Sequence, residues 1–309
     1  MNRTLVIYHA DCADGFGAAF AAWEVLRERA DYLPLSYSKA AGFIADYHTL
    51  VYQQHYSIIY VLDFSFSRSF MEVLRKNHTL VWLDHHKTAF EAWCPSPVLT
   101  PSSVYQEEDE ETFILLDNSK SGALLSWEYF HPGDPSPQLI DHLDDYDRWQ
   151  FKLEGTKELS RALWSHAPWS FEQWKSLMGR DPELIEEGKA ILRAHDQNVQ
   201  GALKETTIPC SILITNFNSP LYGRSFPGLM ANCSRHLSSD AGHSLAKQSG
   251  TFGLLWCMDS GGKIQCSLRS EGDYDVSIIA KEFGGGGHKN AAGFQVDLTV
   301  LRSWMNEIL

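Results

Sequence analysis

The first half of the chain repeats one pattern, a short apolar run followed by a stretch with helical spacing. The apolar runs are Leu5 to Tyr8, Ile58 to Leu62, and Leu80 to Leu83. An Ala-rich helix is expected over Asp14 to Ala30, and Ser67 is placed to cap a second helix. Alternating strands and helices are typical of a mostly parallel sheet with helices on its faces. The sequence therefore predicts an α/β domain in this half.

The chain is long enough for two domains. Its 309 residues exceed the usual length of a single domain. Asp181-Pro-Glu opens a helical pattern that continues to about Lys204, with Asp181 as the expected cap. We therefore predict a first domain over residues 1–185, a helical linker over 186–206 and a smaller α/β domain over 207–309. The other expected elements are helices at 121–130, 138–143, 275–283 and from 298 onward, and strands at 208–215, 252–258, 263–268 and 291–296.

Composition excludes several function classes. Hydrophobic residues make up 44% of the chain, but no apolar run approaches the roughly 20 residues of a membrane-spanning helix. The segment from Met1 to Asp11 becomes charged too soon for a secretory signal, and the 6 cysteines show no paired spacing. A net charge of −13 argues against binding to long nucleic acid, because such binding needs many basic side chains to neutralise the phosphates. We expect a cytoplasmic protein with neither a membrane nor long nucleic acid as a partner. Its oligomeric state is left open, a homodimer included.

One segment interrupts the alternation of strands and helices. A proline-rich stretch from Cys94 to Pro101 runs into the acidic sequence EEDEE at Glu107 to Glu111. Runs of like charge are usually solvated. We expect residues 94–111 to be an insertion that ends in a solvated acidic loop.

Side chains that bind metal ions follow each of the three apolar runs. The blocks are His9-Ala-Asp-Cys-Ala-Asp14-Gly, Asp63, and Asp84-His85-His86, with a fourth acidic block at Asp144-Asp-Tyr-Asp147. A single residue of this kind is usually a loop or cap residue, and Asp14 alone would pass as a helix cap. Because ligands gather at the carboxyl ends of strands in such sheets, the repetition predicts a shared metal site.

The expected ligand side chains are more numerous than a single metal ion requires. Imidazoles mixed with carboxylates suit Mn²⁺, our first expectation, or Mg²⁺, and Fe²⁺ stays open. Two divalent cations about 3.5–4 Å apart, bridged by a carboxylate and a water, would use the whole set. Such a pair activates the bridging water for attack on phosphorus. The predicted chemistry is metal-assisted phosphoester hydrolysis.

These motifs resemble those of a known family. Asp84-His85-His86 with the upstream aspartates resembles the DHH phosphoesterase superfamily, in its RecJ-like and nanoRNase branch. Gly284-Gly-Gly-Gly-His288 resembles the GGGH signature of the DHHA1 domain that often follows, and Ser267-Leu-Arg269-Ser270 resembles the arginine–serine segment before it. The resemblance covers nearly the whole chain. It implies a DHH catalytic domain joined by the helical linker to a DHHA1 domain that binds the substrate.

The resemblance also implies roles for residues of the first domain. One ion would be surrounded by His9, Asp11 and Asp63. The other would be surrounded by Asp14, Asp63, His85 and Asp147, with Asp63 bridging the two. Asp84 would orient a ligand imidazole without touching the ion, and His86 would face the scissile phosphate and stabilise developing charge.

The first block departs from the family pattern. Its two aspartates are usually separated by one residue, whereas Cys12 and Ala13 both lie between Asp11 and Asp14. Asp11 is therefore the least secure of the expected ligands, and Cys12 could be a weak ligand or an uninvolved thiol. In the fourth block, Asp145 could replace Asp147.

The second domain is expected to hold the substrate. Glycine adopts positive φ easily, so the N–H groups of Gly285, Gly286 and Gly287 could form a nest around phosphate oxygens, with His288 as a further donor. Arg269, with Ser270 beside it, offers a planar fork for an anion. A flexible hinge is the alternative interpretation of the glycine run.

The expected function is a two-metal phosphodiesterase for short nucleotides. Short oligoribonucleotides and linear or cyclic dinucleotides fit the lack of a broad basic surface. One alternative is a phosphatase of the same fold that acts on 3′-phosphoadenosine 5′-phosphate. The other is a non-catalytic RNA-binding or regulatory protein, against which the nearly full ligand set argues.

Overall fold

The chain separates into two compact units, Met1–Leu192 and Arg193–Leu309. The structure, a computed structural model, describes residues 3–94, 100 and 102–305. A continuous helix, Asp181–Thr206, runs through the region in which the linker was expected. Each unit has its own sheet, so the expected pair of α/β domains is confirmed, while the boundaries at residues 185 and 206 stay predictions.

The first unit contains a six-stranded sheet. Its strands are β1 (Arg3–His9), β2 (Ala30–Leu35), β3 (Tyr56–Leu62), β4 (Thr79–Asp84), β5 (Val104–Glu108) and β6 (Thr112–Asp117). Its helices are α1 (Ala13–Leu26), α2 (Tyr37–Tyr47), α3 (Arg68–Asn77), α4 (Lys87–Trp93), α5 (Gly122–Phe130), α6 (Gln138–Asp147), α7 (Thr156–Ser165) and α8 (Phe171–Leu177), with α9 (Asp181–Thr206) beginning after them. The strand order is β2-β1-β3-β4-β6-β5, and every pair is parallel except β5 with β6.

Apolar side chains cover both faces of this sheet. In β1, Val6 and Tyr8 belong to the core formed with α1 and α5, while Leu5 and Ile7 belong to the core formed with α3 and α4. Neighbouring side chains of a strand point to opposite faces. A strand buried on both faces must therefore be apolar at consecutive positions, which explains the uninterrupted runs in the sequence.

The region after the first helix was predicted wrongly. The helix expected over Asp14 to Ala30 ends at Leu26, a short 3₁₀ turn covers Arg27–Arg29, and β2 begins at Ala30. Arg27 has a φ of 50°, outside the helical range, which terminates α1. The strand β2 lies at the edge of the sheet and contains a proline. Because proline is unusual inside strands, the sequence pattern does not indicate a strand here.

The acidic run is part of a hairpin. Glu107 and Glu108 belong to β5, which pairs antiparallel with β6, whereas residues 109–111 form the exposed connection between the two strands. The solvated acidic loop that the sequence predicted is thus confined to this connection. Arg75 of α3 forms ion pairs with Glu107 and with Asp109, the latter at 3.0 Å. Residues 95–99 and 101 of the expected insertion lie outside the described residues.

The second unit contains a mixed six-stranded sheet. Its strands are β7 (Ile208–Leu213), β8 (Ser225–Asn232), β9 (Phe252–Met258), β10 (Ile264–Ser270), β11 (Gly286–His288) and β12 (Ala291–Val296), in the order β11-β12-β10-β9-β8-β7. Its helices, after the end of α9, are α10 (Ser238–Ser249), α11 (Ser277–Glu282) and α12 (Leu298–Ser303). Among the described strands of this unit, β8 and β9 pair in parallel and the other neighbours pair antiparallel. Over residues 3–94, 100 and 102–305, the helices all lack either the length or the apolar character needed to cross a bilayer.

An aromatic cluster anchors α8 to α1. Trp174 is fully buried, and its ring centroid lies 4.8 Å from that of Phe16 and 5.9 Å from that of Phe20. We expect Trp174→Ala to lower the free energy of unfolding by about 3–5 kcal/mol, because the change leaves a large cavity. Urea denaturation measures this loss. Trp164→Ala is the control, since that side chain is 39% exposed and should cost less than about 1 kcal/mol. Equal losses in both variants would contradict the assignment of Trp174 to the core.

Candidate metal centre

The strand order places the ends of three strands side by side. The chain leaves β1 for β2 on one side of the sheet, whereas β3 pairs with β1 on the other side. Ligands collect at such a reversal of strand order, at the carboxyl ends of the strands. His9 is the last residue of β1, Asp63 follows β3 directly, and Asp84 ends β4.

Asp63 lies at the centre of the side chains that meet there. Its carboxyl is 1% exposed. The Oδ1 atom is 3.1 Å from His85 Nε2 and 3.8 Å from His86 Nδ1, and the Oδ2 atom is 3.5 Å from His9 Nδ1. Asp63 has a φ of 52°, a left-handed conformation that turns its side chain out of the strand direction.

Two more carboxylates adjoin His85. The Nε2 atom of this imidazole is 3.4 Å from Asp14 Oδ2 and 3.6 Å from Asp147 Oδ2. Asp14 is buried in the first turn of α1, and its carboxylate also accepts hydrogen bonds from the backbone N–H groups of Gly122 (2.7 Å) and Ala123 (2.8 Å). Asp14 thus ties the start of α5 to the site.

The ligand atoms form two groups that share Asp63. One group is His9, Asp63 and His86, and the other is Asp14, Asp63 and His85, with the atoms of each group within 4.8 Å of one another. Asp63 Oδ2 and His9 Nδ1 are buried and have no hydrogen-bond partner in the described part of the chain. A buried polar atom without a partner is costly. The donor atoms on the two sides of the Asp63 carboxyl therefore fit divalent cations.

Electrostatic interactions inside the cluster shift its pKa values. Burial alone would raise the pKa of Asp63, but contacts with His85 and His9 bring it well below its usual range. Burial lowers the pKa of His85, yet the carboxylates of Asp147, Asp63 and Asp14 raise it overall. The pKa of Asp14 is raised by its burial and by Asp63 and Asp147. These opposed shifts are those of a cluster in which buried carboxylates outweigh their partners, and a bound cation would relieve that imbalance.

Asp84 holds the segment that follows β4. This residue is fully buried, and its Oδ1 atom accepts hydrogen bonds from the backbone N–H of His85 at 2.7 Å and of His86 at 3.2 Å. The same oxygen is 2.7 Å from His86 Nδ1. Asp84 was expected to orient a ligand imidazole, and the imidazole that it contacts is that of His86.

The three aspartates of the fourth block point in different directions, since successive helical residues are about 100° apart. Asp144 accepts a hydrogen bond from the Ser121 N–H at 2.7 Å. Asp145 accepts hydrogen bonds from the Lys152 N–H and the Thr156 hydroxyl. Only Asp147 of the three approaches His85 in the described contacts. The geometry thus favours Asp147 over Asp145 as the ligand from this block.

Asp11 does not join the cluster. Its side chain is exposed, and its φ of 54° places it in a left-handed turn between β1 and α1. Among the described residues it is absent from both ligand groups, where the third member beside His9 and Asp63 is His86. The expectation that Asp11 would complete this shell is therefore not supported.

Sequence reasoning missed the glycines that make room for the site. A Cβ atom on Gly122 would overlap the Asp63 side chain and come within 2.8 Å of its Cγ atom. A Cβ atom on Gly15 would come within 2.8 Å of His9 Cβ. Both glycines stand in the first turn of a helix that packs against the cluster. In the sequence, these glycines are marked only by their positions, directly after Asp14 and directly after the helix-capping Ser121.

In the second unit, Ser270 differs from its expected role. It is fully buried, and its hydroxyl donates to the Tyr274 carbonyl at 2.6 Å and accepts from the Asn290 side chain at 2.9 Å. Because side chains alternate along a strand, Ser270 and Arg269 of β10 face opposite sides of the sheet. Ser270 is a structural residue and does not share a surface with Arg269.

The glycines at positions 284–287 belong in part to the end of α11 and to the strand β11. The N–H groups of Gly284 and Gly285 donate to the Lys281 and Ala280 carbonyls at the end of α11. Gly284 has a φ of 73°, as expected of a helix C-cap glycine. Gly286 and Gly287 pair with β12. The nest of successive N–H groups is therefore not formed at Gly285.

Substrate binding by Arg269 and His288 stays a prediction. Both are half-buried, and Arg269 donates from Nη2 to the Ser239 hydroxyl at 3.0 Å and from Nη1 to the Leu268 carbonyl at 2.9 Å. These bonds hold the guanidinium against the start of α10. His288 ends the short strand β11.

The fit of Gly122 against Asp63 generates a prediction. We expect Gly122→Ala to lower the affinity for Mn²⁺ by about 10-fold or more, because the added methyl group displaces Asp63. Isothermal titration calorimetry measures the affinity. Gly42→Ala is the control, since a Cβ atom there meets nothing within 4 Å and should leave Mn²⁺ binding unchanged. Unchanged binding in Gly122→Ala would contradict the position of Asp63 in the site.

Comparison with known proteins gives distant similarities over most of the chain. Uncharacterized protein R106 of Acanthamoeba polyphaga mimivirus is 30% identical over 306 residues, which span 94% of this chain and 66% of that protein. RecJ of Thermus thermophilus, solved with Mn²⁺, has 12% identity and a TM-score of 0.47 over 98% of this chain and 51% of RecJ. The pGpG-specific phosphodiesterase PggH of Vibrio cholerae has 12% identity and a TM-score of 0.42 over 98% of this chain and 96% of PggH.

A family model identifies the C-terminal part. Residues 236–308 match the model of the DHHA1 domain. This segment includes Arg269 and the glycine run that carried the resemblance in the sequence. The motif Asp84-His85-His86 lies beside Asp63 at the carboxyl ends of parallel strands. The C-terminal part of the chain, residues 236–308, therefore contains a DHHA1 domain.

Proposed function

We propose that this protein is a metal-dependent phosphodiesterase that hydrolyses short nucleotides. The convergence of two ligand groups on one buried carboxylate, Asp63, is the observation that carries this proposal. When bound, two divalent cations, Mn²⁺ first among the candidates, would supply a hydroxide for attack on phosphorus and neutralise charge on the phosphate. Phosphoester hydrolysis is the reaction that such a paired site serves best.

The residues of the chain would divide the work as follows. Asp63 would be shared by both cations, with His9 on one side and Asp14, His85 and Asp147 on the other. Asp84 holds His86 through Nδ1 at 2.7 Å, which turns Nε2 away from the carboxylate. His86 could then donate a hydrogen bond to the phosphate oxygen on which negative charge develops.

The substrate is proposed to be small. A protein with 26 basic and 39 acidic residues lacks the charge for many phosphate contacts. Arg269 and His288 of the DHHA1 domain are proposed to bind a second phosphate or the base of the substrate, as a guanidinium and an imidazole commonly do. Oligoribonucleotides of a few units and linear or cyclic dinucleotides meet this description.

A substrate panel tests the proposal. Purified protein with Mn²⁺ should hydrolyse a chromogenic phosphodiester and at least one short RNA or dinucleotide, and EDTA should abolish both reactions. Asp63→Asn should lose activity to background, because the shared ligand is gone, while Asp46→Asn on the exposed side of α2 should retain it. Activity only on 3′-phosphoadenosine 5′-phosphate would favour the phosphatase alternative. Substrate binding without any turnover would favour the non-catalytic alternative.

His86 offers a separate test of the division of roles. We expect His86→Ala to lower kcat by about 10²–10³-fold while the number of bound metal ions stays the same, because its proposed contact is with the phosphate. Stopped assays give kcat, and metal analysis of the dialysed protein gives the stoichiometry. His48→Ala, at an exposed position, serves as the control. Loss of one metal ion from His86→Ala would instead make His86 a ligand.

A further inference from the structure

Tyr37 is an exposed aromatic residue beside the metal centre. It is the first residue of α2 and follows β2, whose last residue, Leu35, pairs in register with His9 at the end of β1. The backbone N–H of Ala10 donates to the Leu35 carbonyl at 3.1 Å and continues this pairing. Because parallel strands bring their carboxyl ends to one edge of the sheet, the turn into α2 lies beside the ligands that follow β1.

Two imidazoles of the metal centre adjoin the Tyr37 ring. Its centroid lies 5.3 Å from that of His9 and 6.1 Å from that of His86. Both imidazoles belong, with Asp63, to one of the two ligand groups. A nucleotide joins its base to its phosphate through a single sugar. A phosphate bound at this group would therefore bring its base close to the Tyr37 ring.

The Tyr37 ring is supported on one face. The ring of Phe64, which is fully buried, stacks on it with the centroids 4.5 Å apart and an interplanar angle of 23°. His9 lies beside this stacked pair, since its centroid is also 6.2 Å from that of Phe64, and a ring on the opposite face of Tyr37 would lie much farther away. Tyr37 is nevertheless 45% exposed. A rigid ring with an accessible face loses little conformational entropy when a second ring stacks on it.

We propose that Tyr37 stacks against the base of the nucleotide whose phosphate binds at the metal centre. This inference rests on the proposed function and adds a contact for the base within the first unit. Stacking on an aromatic side chain tolerates every base, because each base has a π-face. The contact therefore adds affinity for nucleotides over phosphoesters that carry no base, without selecting one base.

A linear dinucleotide and its two abasic forms, each lacking one of the bases, test the contact. With Mn²⁺ and the wild-type protein, one abasic form should have a KM about 10-fold or more above that of the parent dinucleotide. Tyr37→Ala should raise the KM of the parent by a similar factor, leave the KM of that abasic form unchanged and leave kcat nearly unchanged. A residue that only supported the His9 imidazole would affect both substrates alike. Equal increases in the two KM values, or no increase in either, would overturn the proposal.

Three further variants serve as controls. Tyr37→Phe and Tyr37→Trp keep a ring at this position and should keep the KM of the parent dinucleotide near the wild-type value. Tyr52→Ala removes another exposed tyrosine, which lies beyond the other end of α2, and should leave both KM values unchanged. A Tyr37→Phe variant that behaves like Tyr37→Ala would contradict stacking.

Fluorescence measures the stacking without turnover. The 5′-monophosphate of 2-aminopurine riboside carries a phosphate and a fluorescent base, whose emission falls when it stacks on an aromatic ring. In the presence of Mg²⁺ the wild-type protein should quench this emission, and ribose 5-phosphate, which has no base, should compete only weakly. Tyr37→Ala should lose most of the quenching, whereas Tyr52→Ala should retain it. Equal quenching by Tyr37→Ala and the wild-type protein, or no quenching by the wild-type protein, would contradict the contact.

These results separate the inference from the proposed function. A protein that hydrolyses dinucleotides, with KM values that Tyr37→Ala leaves unchanged, contradicts the stacking contact and leaves the function in place. A protein whose quenching is lost in Tyr37→Ala, but which hydrolyses no phosphodiester, supports the contact and contradicts the function.

Discussion

The burial of several carboxylates at one edge of a sheet is the constraint on which the site depends. Asp14, Asp63 and Asp84 are 3%, 1% and 0% exposed, and the imidazoles of His9 and His85 adjoin them. An unpaired buried charge costs several kcal/mol. The imidazoles offset part of this cost, since their pKa values are raised by the neighbouring carboxylates. Divalent cations would offset it more fully. The cluster is thus stabilised by the same interaction that would serve catalysis, and a site of this kind is expected to be most stable when it is loaded.

Much of this arrangement could be predicted from the sequence, because it follows from local patterns. Apolar runs that are buried on both faces identify β1, β3 and β4, and parallel strands in one sheet bring their carboxyl ends to one edge. Residues immediately after those strands, among them Asp63 and His85, had to come near one another. The glycine signature likewise predicted the DHHA1 domain, which the family match over residues 236–308 confirms.

The rest depends on contacts between distant parts of the chain, which no local pattern encodes. Gly122 is required by the Asp63 side chain, and nothing in the sequence around residue 122 indicates this contact. Asp11 has a left-handed backbone conformation, which leaves its side chain exposed, whereas the next residue, Cys12, is half-buried. The sequence does not indicate which of these two neighbouring side chains is exposed. Ser270 was assigned to the substrate because it follows Arg269, although strand alternation sends consecutive side chains to opposite faces.

The number and position of manganese ions in a crystal grown with Mn²⁺ test the central claim most directly. Anomalous scattering at the manganese edge should show two ions about 3.5–4 Å apart with the Asp63 carboxylate between them. Ligation of both ions by this one side chain is the result that the account predicts. A single ion, or two ions of which neither touches Asp63, would contradict it.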